Sequence, residues 1–475
     1  LGCNYLAQRK YKEAIYNLQK ANNLFVHFFG DKNIYSIDPL TDISNAFLQQ
    51  DKPIDALKYA QYALEHTLHN NTIIFPYDHW ECVMQILKCK KELYKKNLIP
   101  FKECKSDIEL IKKTLNEANA IKQTYYSSGS QLHYADKMSE LNKLGIYFLT
   151  HYYKLTDTYF LDNLLYFTEN NKANLLRYKI SSNVSSHLLP EKEREKLFFI
   201  TDKLNEFITL NENQEEATFT INDSILFYQN LHEDFIKNLE KKYPKIYAIK
   251  YGQKPYSVKQ IQKKLKENYT FLNYCNDDEN YYCLSISKKN ITFKICGNKT
   301  TIDSVVRLYQ MNLVNIKFNK NLNLKLSELL LPKSLNKNIL ISSDDILQHI
   351  SFDALYKNLS KNYLIYNHTI QYAFSAGTYF NHQPLSKNKN ILAFFPNFDN
   401  TKYATLNSEK EQKSLINFCN YIEKKDSLAT KKAFLKCYKT SNIIHIASHL
   451  IVDTILPLES ALLFQPNNDY QLTIN

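Results

Sequence analysis

Glycine is scarce in this chain, with seven residues in 475. That excludes collagen-like packing and glycine-loop architectures, and it favours long helices. No two of the nine cysteines form a Cys-x-x-Cys pair: they stand at Cys3, Cys82, Cys89, Cys104, Cys275, Cys283, Cys296, Cys419 and Cys437. An odd, scattered set fits neither a disulfide framework nor a structural zinc site, so a reducing, cytoplasmic compartment is expected. Neither a metal nor another cofactor is called for. No apolar run reaches the roughly 18 residues needed to cross a bilayer, so a membrane partner is not expected in this segment. Tryptophan (1) and methionine (3) are also rare, and the core must be built from aliphatic residues with 36 tyrosines and 27 phenylalanines.

The formal charge is +12. Clustered Lys and Arg would point to a polyanion, because phosphate contacts release counterions. Here the basic residues are dispersed and interleaved with Glu and Asp, as on solvated helix faces. Nucleic acid is therefore not an expected partner. The length implies about two to four domains.

A repeat organises the start of the chain. Ala14 and Ala56 lie 42 residues apart, and at that offset Leu1 aligns with Ile43, Gly2 with Ser44, Tyr5 with Phe47, Leu18 with Ala60 and Ala21 with Ala63. Small residues recur where antiparallel helices approach closely, and large ones where they fill the groove. In each unit a polar turn, residues 8–10 or 50–53, separates the two helices. The helical period continues over 79–96, 100–123, 131–155, 158–180, 190–210 and 223–242. Tyr243-Pro244 ends it, because proline disfavours helix in the residue before it.

After Pro244 the period changes. One short helix, 258–266, precedes strands at 270–274, 281–287 and 291–295, with turns at 276–279 and 288–290. A helix at 301–315 follows. Further strands are expected at 338–341, 369–373, 390–395 and 442–447, with helices at 352–359, 406–423 and 429–438. Alternating strands and helices imply a layered α/β domain with a mainly parallel sheet.

The chemistry-bearing stretch is Ser441-Asn442-Ile443-Ile444-His445-Ile446-Ala447-Ser448-His449-Leu450. An apolar strand runs into a polar turn that carries His449, and open α/β sheets place ligands at such strand ends. On a strand, residues four apart lie about 13 Å from one another, so His445 and His449 do not share a metal ion. Read without further context, both histidines are also explained as packed structural residues.

His445-Ile446-Ala447-Ser448-His449, followed by Leu456-Pro457-Leu458-Glu459-Ser460-Ala461-Leu462, resembles the CHAT domain family, whose members are caspase- and separase-like domains found with tetratricopeptide repeats (TPRs). A second block agrees with it: Ile339-Leu340-Ile341-Ser342-Ser343-Asp344-Asp345-Ile346-Leu347-Gln348-His349-Ile350-Ser351-Phe352-Asp353-Ala354-Leu355. The 42-residue units resemble the TPR in a longer spacing. Glu169-Asn170-Asn171-Lys172-Ala173-Asn174-Leu175-Leu176 and the Tyr243-Pro244 join resemble the bridge between repeats and peptidase-like domain in bacterial members. The fold the resemblance implies is α plus α/β, a TPR-like helical repeat array followed by an incomplete caspase-like α/β sandwich. Its expected domains are repeats at 1–120, further helical hairpins at 121–245 and a CHAT-like domain at 246–475.

In that family the second histidine is catalytic, which makes His449 the general acid/base. A cysteine nucleophile follows on the next strand. The pairing serves a thiolate attacking a carbonyl while an imidazole activates or protonates. No cysteine follows Cys437 here, so the nucleophile is expected beyond the segment and the chain alone is expected to be inactive. Cys419 and Cys437 precede the histidine and are expected to be structural thiols. Leu450 and Asp345 stand where the family has glycine, and Ser351 where it has proline. The resemblance thus implies a cysteine peptidase of caspase/separase type, regulated through protein or peptide contacts of the TPR-like region. The alternative is a non-catalytic TPR scaffold with a pseudopeptidase domain, which Leu450 favours by crowding the turn after the histidine or the oxyanion pocket.

Overall fold

The positions related by the 42-residue offset fold as two helical hairpins, α1 (Gly2–Ala7) with α2 (Tyr11–Phe29) and α3 (Ile37–Gln49) with α4 (Pro53–His66). This is a computed structural model. It describes residues 1–69, 72–122, 128–152, 157–172, 189–212, 219–244, 255–315, 319–356, 362–381, 390–403, 406, 408–416, 421–438, 441, 443–452, 460–467 and 469–473. The chain divides into two compact units, Leu1–Asn381 and His382–Asn475.

Both hairpins turn in the same way. Arg9 and Asp51 take left-handed φ values of 60° and 61°. The amides of Arg9 and Lys10 donate to the carbonyls of Leu6 and Tyr5, and those of Asp51 and Lys52 to Leu48 and Phe47. This double closure satisfies carbonyls that a helix end leaves open. A third hairpin, α5 (Pro76–Lys95) and α6 (Cys104–Lys122), repeats it: Asn97 has φ 55°, and Asn97 and Leu98 donate to Tyr94 and Leu93. Close approach explains the small residues. A Cβ on Gly2 would lie 2.6 Å from Leu18 Cγ. At the equivalent position, the Ser44 hydroxyl donates to the Ala56 carbonyl at 2.8 Å.

α7 (Ser128–Tyr152) pairs with α8 (Thr158–Asn171) and packs on α5 and α6, and α9 (Glu191–Glu212) pairs with α10 (Phe219–Lys242) around a cluster of their own. The expected helix over 158–180 is described as far as Asn171, and 173–188 lie outside the described residues. Gly145 lets α7 meet α8, since a Cβ there would lie 2.7 Å from the Phe167 ring. Among the described residues, no helix is long and apolar enough to cross a membrane.

Two-residue strands β1 (Leu68–His69) and β2 (Thr72–Ile73) form a small hairpin. The main sheet of the first unit holds β3 (Tyr269–Asn276), β4 (Asn280–Ser287), β5 (Ile291–Asn298), β6 (Asn338–Ser342) and β7 (Thr369–Tyr372), in the order β5-β4-β3-β6-β7. The β3–β5 meander is antiparallel, whereas β6 and β7 run parallel to β3. The sheet is therefore mixed where a mainly parallel one was expected, because the short turns after β3 and β4 leave no room for a parallel crossover. Phe271, Cys275, Tyr282 and Ile286 pack with Phe160 and Leu164 of α8. On the other face Leu272, Tyr274 and Cys283 pack with Ile302 and Val306 of helix Lys299–Val314 and Leu326 and Leu330 of helix Lys320–Leu330.

The second unit has a parallel sheet, with β8 (Ile391–Phe395) between β9 (Tyr421–Lys425) and β10 (Ile443–Ile446). Helix Glu409–Ile416 packs on one face and helix Lys431–Cys437 on the other. A small antiparallel sheet follows: β11 (Leu450–Ile451), β12 (Ala461–Leu463) and β13 (Gln471–Thr473). The architecture is α plus α/β.

Two expected helices are corrected. Residues 352–359 hold a single 3-10 turn, Phe352–Ala354, with 357–361 outside the described residues. Among the described residues of 406–423, Glu409–Ile416 is helical and β9 takes up Tyr421 onward, with 407 and 417–420 outside the described residues. Tyr421-Ile422-Glu423-Lys424-Lys425 carries too much charge to read as a strand, yet charge suits a half-exposed sheet edge.

Candidate functional site

His449 sits three residues beyond β10, at the carboxyl end of the parallel sheet. Pairing with β8 extends one residue past the strand, where the Ala447 amide donates to the Phe394 carbonyl at 3.0 Å. The chain then turns toward β12. The Ser448 hydroxyl donates to the Leu463 carbonyl, and the Leu463 amide donates to the His449 carbonyl at 3.0 Å. The main chain of His449 is thus fixed between two sheets. Its half-buried ring meets the edge of Phe398 at a centroid distance of 4.8 Å and lies 5.7 Å from Tyr403. Phe398 is itself 1% exposed and follows the end of β8. The result is an imidazole held at the rim where open α/β sheets bind ligands.

His445 turns elsewhere. Its Nε2 lies 3.1 Å from Glu411 Oε1 on helix Glu409–Ile416, and its ring is 5.6 Å from Phe395. That accords with a packed strand histidine. The two histidines have separate neighbours, and among the described residues no group of three or more His, Cys, Asp or Glu side chains converges as a metal site.

The buried thiols are poorly placed for chemistry. Burial raises Cys82, Cys104 and Cys283 to about 12 and Cys89 to about 11. It drives Cys275 and Cys296 well above the ordinary thiol value. Such groups yield little thiolate near neutral pH. Cys437 is half-buried beside the Phe394 and Phe464 cluster, and Cys419 lies outside the described residues.

The segment after β6 keeps an unusual backbone. Asp345 has φ 52°, in the left-handed region that glycine enters most cheaply. Its conformation is held by Asp344, whose carboxylate accepts from the Asp345 amide at 3.0 Å, and by an ion pair to Lys299. Ile350 is extended (φ −93°, ψ 125°) and Ser351 has φ −78°, the geometry of a residue before proline and of proline itself. Asp345 and Ser351 therefore hold the main-chain shapes that glycine and proline favour. Leu450 does not crowd the turn after the histidine. It lies in β11, paired with Leu462, with its side chain 64% exposed. Ala461 and Leu462 form part of β12, while 456–459 lie outside the described residues.

These two blocks share one ordered stretch of sequence. Residues 318–475 match the family model of the CHAT domain. The CHAT match takes in β6 and β7 of the first unit and every strand of the second. CHAT domains are a caspase-like family. A search of curated proteins finds no match to the chain.

Sequence patterns marked the stretch from Glu169 to Lys172 without revealing its role. The buried Glu169 carboxylate accepts from the amides of Ala376 at 3.0 Å and Gly377 at 3.1 Å. Lys172 Nζ donates to the Ser342 carbonyl at 2.8 Å, to its hydroxyl at 3.0 Å, and to the Asn273 side chain. Asn273 in turn donates to the Thr168 hydroxyl at 2.9 Å. Burial lowers the Lys172 ammonium below its usual range and raises the nearby Asp344 carboxyl. The end of α8 is thus plugged into the carboxyl ends of β3 and β6. A run of polar residues closing an otherwise apolar helix is the sequence feature that marks it.

Proposed function

We propose that the CHAT segment is the histidine-bearing part of a cysteine peptidase of caspase/separase type, with His449 as general acid/base. In this reading the imidazole takes the proton of a cysteine thiol as the thiolate attacks the scissile carbonyl, then delivers it to the leaving amine. Residues 438–475 contain no cysteine, so the reading requires a thiol from outside this segment. The observation that carries it is the seat of His449 at the rim of a parallel sheet, with its carbonyl held by the Leu463 amide and its ring against Phe398 and Tyr403, within a stretch that matches a caspase-like family. The helical hairpins then form a TPR-like array that regulates the domain through protein contacts. A cytoplasmic location accords with an odd, scattered cysteine set that contains no Cys-x-x-Cys pair.

The test is to express the full-length protein from its gene and to treat it with an electrophilic peptide probe for cysteine peptidases. Labelling that collapses in His449→Ala supports the reading. Labelling that is equal with and without His449, together with no cleavage of a peptide library, would replace it by the non-catalytic scaffold.

A further inference from the structure

The segment that leaves β12 holds His449 twice, once directly and once through the seat of its ring. Leu463, the last residue of β12, donates its amide to the His449 carbonyl and accepts the Ser448 hydroxyl on its own carbonyl. Two residues on, the Gln465 side chain reaches the loop that follows β8, where its Oε1 accepts the Asn397 amide at 2.7 Å. Asn397 directly precedes Phe398, whose ring meets the His449 imidazole.

Residues 397–403 form a loop closed on itself. Asn397 Oδ1 accepts from the Asp399 amide at 2.7 Å. The Thr401 amide and hydroxyl both donate to the Phe398 carbonyl, at 3.1 and 2.7 Å, and the same hydroxyl accepts from the Tyr403 amide at 3.1 Å. Asn400, at a left-handed φ of 62°, makes the turn. Phe398 and Tyr403 both belong to this loop, with ring centroids 6.0 Å apart. The seat of the imidazole therefore goes where the loop goes.

Gln465 is itself firmly placed. Its amide donates to the Ala429 carbonyl at 2.9 Å. The adjacent Phe464 is fully buried, with its ring 5.6 Å from Phe394 and 5.1 Å from Phe434. A main-chain amide just past a strand end needs an acceptor, and for Asn397 a glutamine carboxamide supplies it.

We propose that Gln465 is a positioning residue for His449: its carboxamide oxygen fixes the 397–403 loop, and the two rings of that loop fix the rotamer of the imidazole. The inference rests on the reading of His449 as general acid/base and adds how the ring is aimed. Leu463 holds the His449 main chain, so loss of the seat frees the side-chain torsions and leaves the backbone in place. A general base acts only within hydrogen-bond reach of the proton it takes, and an imidazole that changes rotamer leaves that reach.

Three variants of the whole chain test this. Gln465→Met keeps the length and loses the acceptor, Gln465→Glu keeps an acceptor oxygen, and Gln465→Asn draws it back by one methylene. With histidine and phenylalanine isotope-labelled, NMR reads the nuclear Overhauser contact between the His449 and Phe398 rings, and circular dichroism verifies each fold. The contact should be lost in Gln465→Met, weakened in Gln465→Asn and retained in Gln465→Glu. In the full-length protein, labelling by the peptide probe should follow the same order, with Gln465→Met slower by at least about tenfold. A ring contact that survives in Gln465→Met, or that Gln465→Glu loses as fully as Gln465→Met, would overturn the proposal. Should Gln465→Met fail to fold, an unchanged contact in Gln465→Asn overturns it instead. The ring contact is read without any thiol, so it decides this proposal even where the full-length protein labels nothing, a result that removes only the peptidase reading.

Discussion

The two units end their parallel strands in opposite ways. In the first, the carboxyl ends of β3 and β6 are sealed: Lys172 fills the space beside Asn273 and Ser342, and all three are buried. In the second, the corresponding rim of β8 and β10 is covered only in part, and His449 is half-buried against two aromatic rings. The cover on the strands differs likewise. β4 is buried along almost its whole length, whereas in the second unit only the central β8 is, and β9 and β10 keep partly exposed residues. A strand end sealed by side chains contributes to stability, while a reacting group must stay within reach of a substrate. One sheet serves as the frame and the other offers an edge.

That contrast is open to direct attack. The largest effect is expected from Lys172→Ala, which leaves the Asn273 and Ser342 acceptors and the buried Asp344 and Glu169 carboxyls without their cation. Breaking a buried charge in this way costs about 3–5 kcal/mol, read from urea unfolding. A loss under about 1 kcal/mol would show that the first rim is not sealed by this lysine. Next, Phe398→Leu should cost about 1.5 kcal/mol and shift the His449 ring resonances in an NMR spectrum. Unmoved resonances would mean that the aromatic seat does not hold the imidazole.

Asp345 sharpens the comparison within the CHAT match. Asp345→Val forces a β-branched residue into the left-handed region and should cost about 1–2 kcal/mol. Asp345→Gly relieves the backbone while losing the Lys299 pair, and should leave the midpoint nearly unchanged. The smallest effect is one of pH. Burial alone would raise the Asp345 carboxyl, but the Lys299 hydrogen bond and charge hold it below 3.8. Its contribution is therefore present above pH 3.8 and fades as the pH falls through the lower folded value. In Asp345→Asn the acid limb of stability should flatten by less than about 1 kcal/mol, since the pair is partly exposed. Asp344, raised by burial, works in the opposite direction.

The parts of the fold that showed in the sequence are those governed by neighbours in the chain. The 42-residue offset places Arg9 and Asp51 at the same left-handed turn, and Ala14 and Ala56 at the same fully buried helix contact. The meander β3–β5 followed from apolar runs split by turn residues, and β10 from one apolar run before His449. Strand β9 did not show, because Glu423, Lys424 and Lys425 obscure the alternation of an edge strand. Helix Lys320–Leu330 and the β11–β13 sheet were not anticipated either. The latter's strands of two or three residues carry too little pattern of their own and exist through pairing across the chain.

The sequence by itself determined the repeating hairpins, the change from helical to strand period after Pro244 and the place of His449 just past an apolar strand. Each depends on propensity and spacing over a few residues. Only the tertiary structure decided that Lys172 is a buried plug, that Glu169 holds the helix at Ala376, and that an acidic turn rests on the lysines of α5 and α7. Those outcomes join residues more than a hundred positions apart, where burial and charge act through space and leave no periodic trace along the chain.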